Sequence, residues 1–252
     1  MIHIKTAREI ELMRRAGRIA ASALAAAGCA VQAGITTNEL NSIIHKYIID
    51  HGATPTFLGY NGFPAAACIS VNDQVIHGIP GKTVLKEGDL VKIDVGATWD
   101  GYVGDCANTF PVGKVSDEAD RLIKVTRQSF YEGIRFAHAG MRVHDISYGV
   151  QKYVEENGFS IVRSFVGHGV GAEMHEDPEV PNFGKPGTGA RLCAGMTLAV
   201  EPMVNQGTFQ VNILNDGWTV KTKDGKLSAH YENSILITTG DPEILTVACE
   251  EQ

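Results

Sequence analysis

An α+β protein built from two related halves is what the sequence predicts, and three observations predict it. The chain reads helix–helix–sheet twice in the same order, over roughly 1–115 and 116–252. Short matches recur between the two copies at nearly constant spacing. Asp100-Gly101 lies between two alternating runs and marks a β-hairpin with a type I′ turn. No linker, low-complexity tract or charge block divides the chain, so its 252 residues read as one domain with a sizeable core.

Thr6-Ala7-Arg8-Glu9 forms a capping box, and the Ala- and Leu-rich run behind it continues as a long helix to about Val31. Ala33-Gly34 ends that helix. Thr36-Thr37-Asn38-Glu39 opens a second, which runs to about Asp50 and stops at Gly52. Leu58 to Ile76 is loop and short strand, and the hairpin follows. Ser116 starts a third helix reaching about Ala137, and a fourth, after Ala139-Gly140, ends near Asn157 at Gly158. The remaining strands are expected at Phe159–Val166, Thr197–Val204, Trp218–Lys223 and Ser234–Thr239.

Gly34 and Gly140 each precede the next helix stop by 18 residues, and Lys46-Tyr47 recurs as Lys152-Tyr153 at an offset of 106. Leu85, Gly88 and Asp94 return as Leu192, Gly195 and Glu201 at an offset of 107. Asp105 precedes Gly113 by eight residues, as Glu232 precedes Gly240. A two-residue turn sets Trp99 opposite Tyr102 and Asp94 opposite Ala107, so Asp94 and Asp105 share one face as diagonal neighbours. No Lys or Arg lies between Ile93 and Phe110. The repeat gives Asp94 a counterpart in Glu201 and Asp105 one in Glu232. Packed about a pseudo-twofold axis, the halves would bring four carboxylates together, and two surface acids per half would leave that coincidence without a cause.

Composition narrows the function. A formal charge of −7 argues against a nucleic-acid-binding face built from bulk charge. Five scattered cysteines (Cys29, Cys68, Cys106, Cys193, Cys249) contain no C-x-x-C, which fits neither a disulfide framework nor a zinc knuckle. The N-terminus lacks the apolar run of a signal peptide and no stretch approaches a membrane span, so a cytoplasmic protein is expected. Gly167-His168-Gly169-Val170-Gly171-Ala172 matches a dinucleotide fingerprint only nominally, because Pro178 and Pro181 preclude the long helix it requires. His175-Glu176 is not an H-E-x-x-H helix, since Glu179 stands at the second His position. No G-x-S-x-G elbow and no P-loop occurs. One His and four acids suit a pair of divalent ions, and a metal pair predicts hydrolysis.

Asp94, Asp105, His168, Glu201 and Glu232, with His77 in Ile76-His77-Gly78-Ile79-Pro80 and with His175, resemble the signature of the methionine aminopeptidases, in order and over nearly the whole chain. The chain is similar to the short, bacterial-style type I form. The resemblance implies the pita-bread fold, with two pseudo-twofold-related halves around a central antiparallel sheet, and removal of initiator methionine with preference for a small second residue. It implies two divalent ions (Co, Mn, Fe, Ni or Zn): Asp94 on one, His168 and Glu201 on the other, Asp105 and Glu232 bridging. Glu201 would shuttle a proton, His175 polarise the scissile carbonyl and His77 contact the scissile amide or the next residue. The methionine pocket would comprise Tyr60, Phe63, Cys68 and Trp218, with Phe57 and Met174 adjoining. Aromatic rings and a thiol do suit a polarisable thioether. The partner implied is a nascent polypeptide, with the ribosome nearby, met by a monomer without membrane or specific nucleic acid. Two other readings stay open: a Xaa-Pro-type pita-bread peptidase, and a metal-free pita-bread binding module.

Overall fold

The computed structural model describes residues 1–248, and its helices begin where their caps stand. Helix α1 spans Ala7–Ala30 and α2 spans Thr37–Asp50. The Glu9 N–H donates to Thr6 Oγ1 at 3.4 Å and the Thr6 N–H donates to Glu9 at 2.7 Å. Thr36 and Glu39 repeat the exchange at 3.2 and 2.7 Å. Helix α3 (Asp117–Ile134) follows Ser116, whose Oγ accepts from the Ala119 N–H, and α4 covers Val143–Glu156. Helix α3 stops short of the expected Ala137, because Phe136 and Ala137 donate to the carbonyls of Gly133 and Ile134, three residues back.

The strands are β1 (Thr54–Pro55), β2 (Cys68–Val71), β3 (Gln74–Ile76), β4 (Leu90–Trp99), β5 (Tyr102–Pro111), β6 (Ser160–Ile161), β7 (Val166–Gly169) and β8 (Glu176–Pro181). They continue as β9 (Thr197–Val200), β10 (Met203–Asn205), β11 (Val211–Ile213), β12 (Val220–Thr222), β13 (Ser228–His230), β14 (Glu232–Leu236) and β15 (Glu243–Ile244). One antiparallel sheet runs β1–β4–β5–β14–β9–β7–β8, with β2 beside β4 and β15 beside β14. Two small sheets, β13–β10–β6 and β11–β12–β3, flank it. The halves meet at the middle of the large sheet, where β5 pairs β14.

The hairpin has its expected register: Trp99 faces Tyr102 and Asp94 faces Ala107. Asp100 and Gly101 carry φ of 46° and 80°, the two positive values a type I′ turn needs. Val91, Ile93, Val95, Ala97 and Cys106 therefore point together into the core beneath α1 and α2. The intervening positions, Asp94 and Asp105 among them, face the other way. A second core lies under α3 and α4, around Phe130, Ile146, Leu198 and Ile235.

The repeat is visible in backbone angles. Gly34 and Gly140 have φ of 97° and 99°, Gly52 and Gly158 of 72° and 77°, Gly88 and Gly195 of 90° and 91°. Hydrogen bonds recur with them: Gly34 donates to the Leu85 carbonyl at 2.9 Å, and Gly140 to that of Leu192 at 3.0 Å. Only glycine adopts these angles without strain, which is why the glycines were the repeat's most legible letters.

Four strand expectations need correction. Phe159–Val166 is not one strand, because β6 and β7 belong to different sheets and the chain crosses between them. Thr197–Val204 breaks at Glu201-Pro202, where proline has no N–H to continue a ladder. Trp218 and Thr219 stay outside β12 because Asp216 Oδ1 accepts both their N–H groups, at 2.9 and 2.8 Å. The last expected strand, Ser234–Thr239, is shifted to β14, which starts at Glu232. Strand β8 was not among the expected strands; its Pro178 and Pro181 are tolerated because it lies at the sheet's edge. Cys29, Cys68, Cys106 and Cys193 are free thiols, and Cys249 lies outside the described residues.

Helix α1 crosses β5 with the two backbones in close approach. A Cβ on Gly104 would fall 2.4 Å from both N and Cα of Gly17. Neither backbone can yield without moving the helix, so Gly104→Ala should cost about 1–3 kcal/mol. Thermal unfolding reads this as a lowered midpoint, and an unchanged midpoint would contradict the packing.

Candidate metal centre and active site

Strand alternation delivers the acids. Asp94 and Asp105 project from the hairpin face that looks away from the helices, and Cys68 on β2 lies directly opposite Asp94. Glu232, the first residue of β14, pairs with Ala107 and so stands beside Asp105. Two side chains tie β5 to β13 and β14 around this point. Thr109 Oγ1 donates to the His230 carbonyl at 2.8 Å and accepts from the His230 N–H at 2.9 Å. Ser234 Oγ donates to the Asp105 carbonyl at 2.9 Å and accepts from its N–H at 3.1 Å. Glu201 leaves the end of β9, with its carbonyl accepting from Asn182 Nδ2 at 3.0 Å. His168 on β7 pairs with Ala199 and enters from the second half.

The four carboxyls and two imidazoles converge. His168 Nε2 lies 3.7 Å from Asp105 Oδ2 and 3.8 Å from Glu201 Oε1. His230 Nε2 lies 3.6 Å from Glu201 Oε2 and 3.8 Å from Glu232 Oε2. Asp105 and Glu232 are each 2% exposed, and among the described residues no Lys or Arg pairs with any of the four acids. Burial, reinforced by the neighbouring acids, therefore pushes Asp94 and Glu232 well above the usual carboxyl range. Burial also raises Asp105 and Glu201 to about 8, with Glu201 itself adding to the shift of Asp105. The imidazoles move the other way: burial holds His77, His168 and His230 down to about 4. His168 donates Nδ1–H to the Gly169 carbonyl at 2.8 Å, which turns the lone pair of Nε2 toward the acids.

Among the described residues six buried side-chain polar atoms lack a hydrogen-bond partner, and five belong here: Asp94 Oδ1, Asp105 Oδ1, Glu232 Oε1 and both ring nitrogens of His230. Native interiors leave few such atoms orphaned. Donor atoms fall into two groups, Asp94–His230–Glu232 and Asp105–His168–Glu232, each within 4.8 Å, and Glu232 is common to both. Mixed carboxylate and imidazole donors of this kind fit divalent transition-metal cations.

The cluster forms the floor of a cavity of ≈ 220 Å³. Every residue singled out from the sequence lines it. Phe57, Tyr60, Phe63, Cys68, Met174 and Trp218 make the wall, and His77 and His175 stand at its sides. Phe63 meets Trp218 edge-on at 5.1 Å, and His77 packs between Phe165 and Trp218 at 5.8 and 6.3 Å. His77 takes a positive φ of 57°, so its ring position is imposed by the turn. Tyr60 OH bonds His175 Nδ1 at 2.8 Å, and the His175 ring lies 4.2 Å from that of His168. Lys5 Nζ, donating to Glu176 at 2.6 Å, pins the turn that carries His175.

Two residues escaped the sequence reading. Asn61, also in the lining, sits in a short 3₁₀ turn that no local pattern marks. His230 could have been found, because it precedes Glu232 by two residues and strand periodicity puts both on one face.

The sequence model of metallopeptidase family M24 matches residues 11–239. A methionine aminopeptidase of Clostridium perfringens is 56% identical over 98% of this chain and 99% of its own length. Methionine aminopeptidase 1 of Bacillus subtilis is 50% identical over 98% of this chain and 99% of its own. The crystal structure of methionine aminopeptidase from Rickettsia prowazekii superposes with a TM-score of 0.96 at 42% identity, covering 98% of this chain and 100% of that one. Prolidase from Pyrococcus furiosus shares the pita-bread fold at a TM-score of 0.79, with 23% identity over 98% of this chain and 66% of its own. The chain belongs to metallopeptidase family M24 and, within it, to the methionine aminopeptidases.

Proposed function

We propose that this chain removes N-terminal methionine from peptides and nascent proteins. The observation that carries the reading is the placement of an orphaned acid–imidazole cluster at the floor of a cavity walled by aromatic rings, a thiol and a thioether. Asp94, Asp105, His168, Glu201 and Glu232 would hold two divalent ions, with Asp105 and Glu232 shared between them. Bound there, such ions lower the pKa of an attacking water and polarise the scissile carbonyl. The chain's own groups do the rest. Glu201, at the end of β9 and 3.8 Å from His168 Nε2, would take a proton from the attacking water and pass it to the departing amine. Tyr60 occupies Nδ1 of His175, which leaves Nε2 free to donate to the substrate's carbonyl oxygen. His77 reaches the amide or the residue that follows. The methionine side chain fits among Phe57, Tyr60, Phe63, Cys68, Met174 and Trp218.

Its free amine meets the acidic floor, so the cavity selects a chain end over an internal bond. Free thiols throughout the described residues suit the cytoplasm, where a monomer would meet nascent chains near the ribosome. No helix among the described residues is long and apolar enough to cross a membrane. A Xaa-Pro specificity has no support beyond the shared fold, and a metal-free binding role leaves the orphaned acids unexplained.

Three outcomes test this. Met-Ala-Ser peptides should lose methionine when Co²⁺ or Mn²⁺ is supplied and stop doing so after chelation, with Xaa-Pro peptides untouched. Methionine release that survives removal of metal would contradict the mechanism. His175→Ala should lower kcat by about 10²-fold or more while metal content, measured by elemental analysis, stays constant. A loss of metal in that variant would reassign His175.

Stability supplies the third. The metal-free fold holds its four carboxyls protonated to a higher pH than the unfolded chain does, so it binds more protons and loses stability as pH rises. The imidazoles oppose this only below their unfolded value of 6.5. Lys92, held down to about 7 by burial, also opposes it, as one group against four. Between about pH 6.5 and 8 the thermal midpoint of the metal-free protein should therefore fall. Saturating divalent metal should raise the midpoint and remove the slope, and a rising midpoint without metal would contradict the cluster's electrostatics.

A further inference from the structure

We propose that His230 is itself a metal donor, completing one cation position with Asp94 and Glu232 so that each position holds one imidazole. The inference rests on the metal reading above and deepens it.

His230 is 1% exposed and ends β13, with its backbone clamped by Thr109 through both N–H and carbonyl. Neither ring nitrogen has a hydrogen-bond partner, whereas His168 has its Nδ1 satisfied. The ring does not line the cavity. It stands beside the acids, grouped with donor atoms of Asp94 and Glu232 that all lie within 4.8 Å of one another. Its Nε2 is 3.6 Å from Glu201 Oε2 and 3.8 Å from Glu232 Oε2, too far for hydrogen bonds. His168 keeps nearly the same spacing, 3.7 and 3.8 Å, from Asp105 and Glu201. The two rings thus flank the Glu201 carboxyl, one beside each oxygen. Ligands bound at 2.0–2.2 Å around one ion stand roughly 3–3.6 Å apart, so a small contraction of either trio closes a site.

Nitrogen at both positions has a chemical consequence. It biases the pair toward Co²⁺, Ni²⁺, Fe²⁺ or Zn²⁺ and away from Mg²⁺ and Ca²⁺, which prefer oxygen alone. His230→Gln preserves approximate length and hydrogen-bonding capacity while removing the imidazole donor.

The test is a Co²⁺ titration of the metal-free full chain under anaerobic conditions, followed by equilibrium dialysis and by proton NMR. The saturated protein should show two strongly shifted imidazole N–H resonances, from His168 and His230. His230→Gln should lose one of them and bind its second equivalent at least about tenfold more weakly, with the first unchanged. A single shifted imidazole resonance in the saturated natural protein would overturn the proposal, and that count decides the matter even if the variant fails to fold. Two equivalents bound by a folded His230→Gln variant with unaltered affinity would overturn it as well. Absence of Co²⁺ binding altogether would instead remove the metal reading on which the proposal stands.

Discussion

Mutual repulsion among four buried carboxyls is the constraint to which the rest of this structure answers. Asp94, Asp105, Glu201 and Glu232 come from four strands or their ends, and among the described residues their only ion-pair partners are His168 and His230. In the low dielectric of the interior such a group survives only with protons or cations between its members. The sheet is tied together beside the acids by side-chain hydrogen bonds. Thr109 on β5 exchanges two hydrogen bonds with His230 at the end of β13, and Ser234 on β14 exchanges two with Asp105 on β5, on either side of the Asp105–Glu232 contact. The helices fix the sheet from the opposite face, so the acids cannot relieve their repulsion by turning the strands over.

Duplication explains how one chain came to present matched acids from both directions. The two halves repeat their helix stops and positive-φ glycines at almost identical angles, and the repeat places an acid from each half on either side of the midline. The division is not symmetric in its imidazoles, since His168 and His230 both come from the second half. The first half contributes instead the hairpin and most of the pocket wall, including Phe57, Tyr60, Phe63 and Cys68. Under the proposed function, the first half would therefore hold most of the substrate side chain.

How much was legible in the sequence depended on whether the signal was local. The hairpin register could be read because Asp100-Gly101 favours a two-residue turn; a three-residue turn would have put Asp94 and Asp105 on opposite faces, and the structure has the two-residue one. The capping boxes set helix starts to the residue, and the acids at repeated positions pointed to a shared centre. Strand β8 could not be read, because its prolines are acceptable only at an edge and edges are set by the tertiary fold. The break at Glu201-Pro202 and the split of β6 from β7 depend likewise on which sheet each segment joins. His230 was legible by strand alternation from Glu232, but only once Glu232 was known to face the cluster.

The central claim, that cations replace protons among the buried acids, is tested most directly by counting protons displaced on metal binding. Titrating the metal-free chain with Co²⁺ at pH 7 by calorimetry, in buffers of differing ionisation enthalpy, gives that count. The account predicts release of about one or more protons per chain, because Asp94, Asp105, Glu201 and Glu232 are held protonated by burial and by one another. Binding with no release of protons at that pH would contradict it.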